Sequence, residues 1–213
     1  MERRLSTFDL LINELDKGVR TAFGPSPRAE RPNPAQNVEE DELGDPDRDL
    51  ASRFMRINHA GEICAQGLYQ GQAITARLPQ VREKMEQAAQ EENDHIAWTA
   101  DRIKDLGGHT SYLNPLWYAG SFTLGALAGM AGDRWSLGFV AETEKQVVRH
   151  LEGHLARLSP NDKKSRAILE QMKIDEGRHA TTAVSAGAAN FPRPIQRAMQ
   201  LMSKIFTGTV FWV

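Results

Sequence analysis

Apolar and polar residues alternate along this chain with the period of amphipathic helices, and the pattern breaks at proline and glycine. Four long helical stretches are predicted, over residues 50–77, 80–106, 134–158 and 159–186, and a further helix is predicted after Pro194. β-strand signals are weak throughout. The pattern therefore predicts an all-α protein, a four-helix bundle with an extra C-terminal helix.

Local signals mark the ends of these helices. Pro79 ends the first long helix, and Gly107 and Gly108 end the second, because glycine readily adopts the backbone conformation of a helix C-terminus. Ser159 is predicted to cap the fourth helix, with Pro160 at its first position and an aspartate in its first turn.

The N-terminal part divides into two segments. Residues 1–23 carry one apolar helical stripe, predicted to pack on the domain rather than on a membrane surface. The stripe comprises Leu5, Phe8, Ile12, Leu15, Val19 and Phe23. Residues 24–49 are rich in proline and then in acid, which predicts an extended, solvated linker with no catalytic role. The bundle domain is then residues 50–213.

An uncharged, mostly apolar segment, residues 111–132, lies between the second and third long helices. Trp117 and Tyr118 stand near one end, and Gly125 and Gly129 are spaced for close helix approach. Two interpretations remain open, a crossover helix buried in the fold and a segment that contacts a membrane surface without crossing it. The aromatic pair favours the second.

Charge and cysteine content narrow the environment. The formal net charge is -2 and no basic run occurs, so a nucleic-acid partner is not expected. The single cysteine, Cys64, interpreted as a core residue, excludes an intrachain disulfide. No secretory leader is recognised at the N-terminus, and these features together predict the cytoplasmic side of the cell.

Two Glu-x-x-His motifs carry the candidate chemistry. They are Glu92 with His95 and Glu176 with His179, and residues three apart on a helix lie on one face. One such pair is weak evidence, because charged helices produce it by chance. Two pairs on two predicted helices indicate a metal site in the bundle.

Each pair also has an upstream glutamate one helix earlier. Glu62 precedes Glu92 by 30 residues (92 − 62), and Glu144 precedes Glu176 by 32 (176 − 144). Glu142 is the alternative to Glu144 but falls on a different helix face. Two hairpins, each with Glu … Glu-x-x-His, present the ligand set of bundles that bind two iron or manganese ions. The predicted metal ligands are Glu62, Glu92, His95, Glu144, Glu176 and His179.

Other polar residues are candidates to orient the histidines. Asp94 and Asp175 each neighbour a predicted ligand and could accept the second imidazole N–H across the bundle. His59 and His150 are further candidates, and for all four residues a surface role is at least as good an interpretation.

Several strings resemble the Coq7 family of demethoxyubiquinol hydroxylases from residue 50 onward. The most specific is Asn58-His59-Ala60-Gly61-Glu62, and the others are Glu92-Asn93-Asp94-His95, Glu142-Thr143-Glu144 and Asp175-Glu176-Gly177-Arg178-His179. The resemblance implies a ferritin-like di-iron fold, with the six predicted ligands as the iron ligands and no further catalytic residue. It also implies peripheral attachment to the membrane that holds the quinone pool, here the cytoplasmic face of the cell membrane.

The implied reaction is O2-dependent hydroxylation of 2-polyprenyl-3-methyl-6-methoxy-1,4-benzoquinol in ubiquinone biosynthesis. It needs two irons and an external reductant, either NADH or the quinol itself. No Gly-x-Gly-x-x-Gly motif occurs, so no built-in nucleotide site is expected. Expected partners are the lipid quinol, other ubiquinone-biosynthesis proteins and a second copy of the chain. The rival functions are ferritin-like iron storage or peroxide detoxification, and a non-enzymatic membrane adaptor.

Overall fold

The computed structural model describes residues 7–213, and in the first helix it describes the side chains of residue 12 and of residues from 16 onward. Within this range the chain forms seven α-helices and no strand. They are α1 (Thr7–Phe23), α2 (Asp45–Thr75), α3 (Pro79–Asp105), α4 (Asn114–Met130), α5 (Asp133–Arg157), α6 (Lys163–Ser185) and α7 (Arg193–Val210). The prediction of an all-α protein is confirmed.

The bundle consists of two hairpins, α2–α3 and α5–α6, which pack together around a shared core. α2 begins at Asp45, about five residues earlier than predicted, because Pro46 at its first turn and two early acids suit a helix start. The predicted glycine end of α3 is confirmed, with Gly107 at φ 75° and the Gly108 amide donating to Ile103. Buried side chains such as Phe54, Trp98 and Leu151 fill the space between the hairpins.

The predicted cap of α6 is wrong. Ser159 and Pro160 lie in the preceding turn, and Asp162 is the N-cap, accepting a hydrogen bond from the Ser165 amide at 3.0 Å. The same carboxylate lies 2.8 Å from the Arg102 guanidinium of α3. Because Asp162 is buried and serves both helices, it fixes the start of α6 more firmly than an exposed serine would.

The uncharged segment forms α4, which packs closely on the outer side of α2 because glycines of both helices lie at the contact. A methyl group added at Gly71 would lie 2.2 Å from the Phe122 carbonyl oxygen, and one added at Gly125 would lie 2.2 Å from that of Leu68. The spacing of Gly125 and Gly129 therefore serves contact with α2.

The opposite face of α4 leaves apolar side chains exposed. They are Leu116, Leu124, Leu127 and Met130. Across residues 7–213, no helix combines the length and the apolarity that crossing a membrane requires.

Residues 24–44 are not the solvated linker that the composition predicted. Ala35 and Leu43 are buried in the core, and Glu40 lies 2.7 Å from the buried guanidinium of Arg102. Turns replace helix here, as the prolines require, but the turns press against the bundle. The acidic composition predicted solvation because the sequence does not show that Glu40 pairs with Arg102, a buried cation 62 residues further along the chain.

α1 contacts α4 and α2, but the described members of its apolar stripe do not make that contact. Ile12, Val19 and Phe23 are each at least half exposed, whereas Gly18 is buried against Tyr118 of α4. α1 therefore contacts the bundle through small residues, and its large apolar residues point outward. Leu5 lies outside the described residues, and the side chains of Phe8 and Leu15 are not described either.

Candidate metal centre

The six predicted ligands come from all four bundle helices and are all buried. Glu62 lies on α2, Glu144 on α5, and the two Glu-x-x-His pairs on α3 and α6. None of the six exceeds 8% exposure. Glu62, Glu92, His95 and Glu176 can each present a ligand atom within 4.8 Å of the others. Glu144 and His179 are outside this group of four, although His179 Nδ1 lies 3.3 Å from Glu92 Oε1.

Two of the carboxylates lie between the two histidines. Glu92 places Oε2 2.9 Å from His95 Nδ1 and Oε1 3.3 Å from His179 Nδ1. Glu176 places Oε1 3.1 Å from His95 Nδ1 and Oε2 3.2 Å from His179 Nδ1. Each of these glutamates therefore presents one oxygen toward each imidazole, which is the arrangement that a carboxylate bridging two metal ions needs.

The other two carboxylates lie at opposite ends of this group. A Glu62 oxygen is 3.8 Å from His95 Nδ1. Glu144 accepts a hydrogen bond of 2.5 Å from the buried Tyr69 hydroxyl. Glu142, the alternative, instead pairs with Gln146 and with Arg149 near the surface, so the geometry supports Glu144.

The second nitrogen of each histidine contacts an acid on the opposite helix. His95 Nε2 lies 3.1 Å from Asp175 on α6, and His179 Nε2 lies 2.7 Å from Glu91 on α3. These contacts fix the ring orientations and leave both Nδ1 atoms facing the carboxylates. Asp175 thus lies beside an imidazole as expected, whereas the side-chain partner of Asp94 among the described residues is Arg31.

Glu91 was missed by the sequence reasoning, although a signal for it existed. In both motifs an acid directly precedes the first ligand, as Glu91-Glu92 and as Asp175-Glu176. The repeat is therefore acid-Glu-x-x-His.

The other two candidates to orient the ligands lie apart from the imidazoles of His95 and His179. His59 faces a cavity described below, and His150 packs at 4.0 Å against the ring of His154.

Burial is the largest single influence on the pKa of each of the six side chains, but ionic contacts outweigh it at Glu92, Glu176 and both histidines. It raises the pKa of Glu62 and of Glu144 well above the ordinary value, and neighbouring carboxylates raise both further. Burial lowers the pKa of His95, but the contacts with Glu92, Asp175 and Glu176 outweigh it and raise that pKa well above 6.5.

The residues fit a pair of divalent cations. Oε1 of Glu92 and Oε1 of Glu176 are buried and accept no hydrogen bond of good geometry within the described residues. Four carboxylates and two neutral imidazoles carry the charge that two divalent ions neutralise, and oxygen and imidazole donors suit iron or manganese. A buried acid cluster is costly unless something of opposite charge occupies it.

A cavity of about 1090 Å³ lies beside the centre, between α2 and α3. Ile63, Tyr69 and Met85 give it apolar walls, and Gln66 and Gln70 give it polar ones. The end of α1, the turn after it and residues 110–112, 114 and 115 complete the lining. Tyr69 therefore contacts both the cavity and Glu144.

Phe206 and Phe211, near the C-terminal end, lie away from this cavity. Phe206 packs edge-on against Trp117 at 5.1 Å, and Phe211 packs against the core near Phe54. Neither lines the cavity. The start of the uncharged segment lines the cavity, with Tyr112 just before α4 and Pro115 in the first turn of α4.

A helical bundle with two Glu-x-x-His motifs, two further glutamates and two shared carboxylates defines a metal-carboxylate protein of the bundle class. Residues 49–209 match the family described as Ubiquinone biosynthesis protein COQ7, and the chain belongs to that family.

Curated relatives extend the match to nearly the full chain. A 3-demethoxyubiquinol 3-hydroxylase of Nitrosococcus oceani is 56% identical over 211 residues, 99% of each chain. The protein of that name from Nitrosomonas europaea is 53% identical, covering 96% of this chain and 98% of its own. The relatives therefore share the N-terminal segment that precedes the family match.

Proposed function

We propose that this chain is a 3-demethoxyubiquinol 3-hydroxylase that uses two irons held by the six buried side chains. The observation that carries the metal assignment is the pair Glu92 and Glu176, each with one oxygen toward His95 and one toward His179. The relatives bearing that name supply the substrate, the quinol ring of demethoxyubiquinol.

The ligands divide into two terminal sets and one shared set. Glu62 and His95 would hold one iron, and Glu144 and His179 the other, with Glu92 and Glu176 between them. When bound, the irons supply activation of O2 and transfer of one oxygen atom to the ring. O2 and two electrons with two protons yield the hydroxylated ring and water, so a reductant, NADH or the quinol, must provide those electrons.

The cavity is the proposed quinol site. Its apolar walls would exclude bulk water from the ring, and Gln66 and Gln70 could contact ring oxygens. Gln66 donates to Asn93 at 2.9 Å, and Gln70 donates to Gln66 at 3.1 Å, so the polar atoms of this wall are held in fixed positions. Tyr69 would contact the ring from the wall of the cavity. Its hydroxyl donates to Glu144, so one side chain would link the ring to that carboxylate.

The test of the function is an isotope assay. Iron-loaded protein supplied with a short-chain demethoxyubiquinol and ¹⁸O2 should give a product carrying one labelled oxygen atom. About two irons per chain should suffice. Iron storage would instead give mineral uptake far beyond two irons with no product, and a non-enzymatic adaptor would give neither.

Peripheral attachment to the cytoplasmic face of the cell membrane is part of the proposal, because the substrate is a lipid. The exposed apolar face of α4 and that of α7, with Leu201, Met202 and Ile205, are the candidate contacts. Trp117 of α4 packs on Phe206 of α7, so the two helices are joined at one point. Other ubiquinone-biosynthesis proteins or a second copy of the chain could use the same faces.

Replacing Leu127 and Met202 with glutamate should weaken binding to phospholipid vesicles at least tenfold, because both side chains are more than half exposed and would lose apolar contact with lipid. The matched control is Ile174→Glu, an equally exposed apolar residue on α6. Cosedimentation with vesicles measures the effect. Equal vesicle binding by the wild type, the variant with glutamate at both Leu127 and Met202, and Ile174→Glu would contradict this contact surface.

A further inference from the structure

The two acid-Glu-x-x-His repeats differ at the residue that precedes the histidine. In the second repeat it is Arg178, and in the first it is Asp94. Arg178 bridges the acids that orient both histidines, with Nη2 2.8 Å from Glu91 and 3.1 Å from Asp175. The first repeat has an acid at this position and cannot supply a matching cation.

A cation from outside the bundle takes that place. Arg31, in the segment between α1 and α2, donates from Nη1 to Asp175 Oδ2 at 2.8 Å and from Nε to Asp94 Oδ2 at 2.5 Å. The same Asp175 oxygen lies 3.1 Å from His95 Nε2. Arg31 therefore fixes the very oxygen that orients the imidazole of a proposed iron ligand.

The guanidinium is itself held on several sides. Asp94 Oδ1 accepts a hydrogen bond of 2.7 Å from the Glu30 amide, which anchors the backbone beside Arg31. The guanidinium carbon lies 4.9 Å above the ring of Trp98. Asp94 and Asp175 are nearly fully buried, whereas the Arg31 side chain is 34% exposed, so the carboxylate ends of these ion pairs are the ones shielded from solvent.

We propose that Arg31 is a positioning residue of the metal centre, acting on His95 through Asp175. The inference rests on the proposed function, since it needs the six side chains to bind iron. It gives the N-terminal segment a role in the centre that its composition did not suggest. Asp94 serves as the anchor for Arg31, which accounts for an acid at the position where the second repeat has arginine.

The experiment compares Arg31→Ala and Arg31→Lys with Arg28→Ala, an exposed arginine of the same segment. Each protein is loaded with ⁵⁷Fe(II) without oxygen, and the rate of iron loss to a ferrous chelator is measured. We expect Arg31→Ala to lose iron about 10–100 times faster than wild type, the range for loss of such outer contacts. Arg31→Lys should be intermediate, and Arg28→Ala should stay within about twofold of wild type.

A double variant tests whether the effect passes through Asp175. In an Asp175→Asn background, adding Arg31→Ala should change the iron-loss rate by less than about twofold, because the residue it acts on is already altered. The Mössbauer spectrum should change for one iron in Arg31→Ala. Multiplicative losses in the double variant, or a spectrum and rate like those of Arg28→Ala, would overturn the inference.

Two further outcomes separate this inference from the proposed function. Wild-type protein that takes up no iron would overturn both. Wild type with two irons, and Arg31→Ala that holds them as tightly, would overturn only the role of Arg31. If Arg31→Ala does not fold by circular dichroism, Arg31→Lys decides, and iron loss at the wild-type rate would count against the inference.

Discussion

Glu92→Ala and Glu176→Ala are each expected to abolish binding of both irons, whereas Glu62→Ala should weaken mainly one. Glu92 and Glu176 face both histidines, so removing either takes an oxygen from each metal position. Hydroxylation should fall by more than about 100-fold, since loss of an outer partner alone costs 10–100-fold. Iron per chain and initial rate are the measurements.

Glu142→Ala is the control for this series. It removes an acid two residues from Glu144 that pairs with Gln146 and Arg149 instead of the centre. It should retain two irons and nearly full activity. Two tightly bound irons in Glu92→Ala would show that the shared carboxylate is not a bridge.

Metal-free Glu62→Gln and Glu144→Gln are expected to be more stable than the metal-free wild type, by about 1–3 kcal/mol each. Glutamine keeps the shape of the side chain but removes a carboxyl group that is buried next to other carboxylates. Burial raises the pKa of both groups above the ordinary 4.5. With the folded pKa above the unfolded one, the wild type loses relative stability as pH rises above about 4.5, so the gap should widen toward pH 7.

With iron bound, the wild type should be more stable than either glutamine variant, because iron stabilises most the protein that keeps all of its ligands. Urea unfolding of each protein, with and without iron, gives the free energies of unfolding. Glu142→Gln, which alters an acid outside the cluster, should show neither effect. Metal-free glutamine variants less stable than wild type would indicate that the cluster is not strained by its charge.

The parts of the centre that local spacing governs were predictable. His95 follows Glu92 by three positions, and helix geometry alone puts the two side chains on one face. The 30- and 32-residue intervals to Glu62 and Glu144 follow from two similar hairpins. All six predicted ligands are buried in the bundle, four of them can present ligand atoms to one ion, and iron ligation by the six stays a prediction.

The parts that depend on distant contacts were not predictable. A run of prolines and acids is predicted to be solvated when its buried partners are unknown. Arg31 pairs with acids on α3 and α6, and Glu40 pairs with an arginine on α3. The start of α6 was misplaced for the same reason, since Asp162 is fixed by Arg102 from another helix. The pattern along α4 was open because apolar faces look alike whether they contact α2 or lipid.

The contact between Arg31 and Asp175 spans 144 residues, which sets an order for biosynthesis. A ribosome releases the N-terminal segment long before it releases α6, and at about 5–20 residues per second the delay is several seconds or more. During that interval Asp175 does not yet exist as a partner for Arg31. The segment therefore completes its contacts only after α6 is made, although its contacts with α3 can form earlier, and a nascent chain still lacking α6 cannot complete the surroundings of His95.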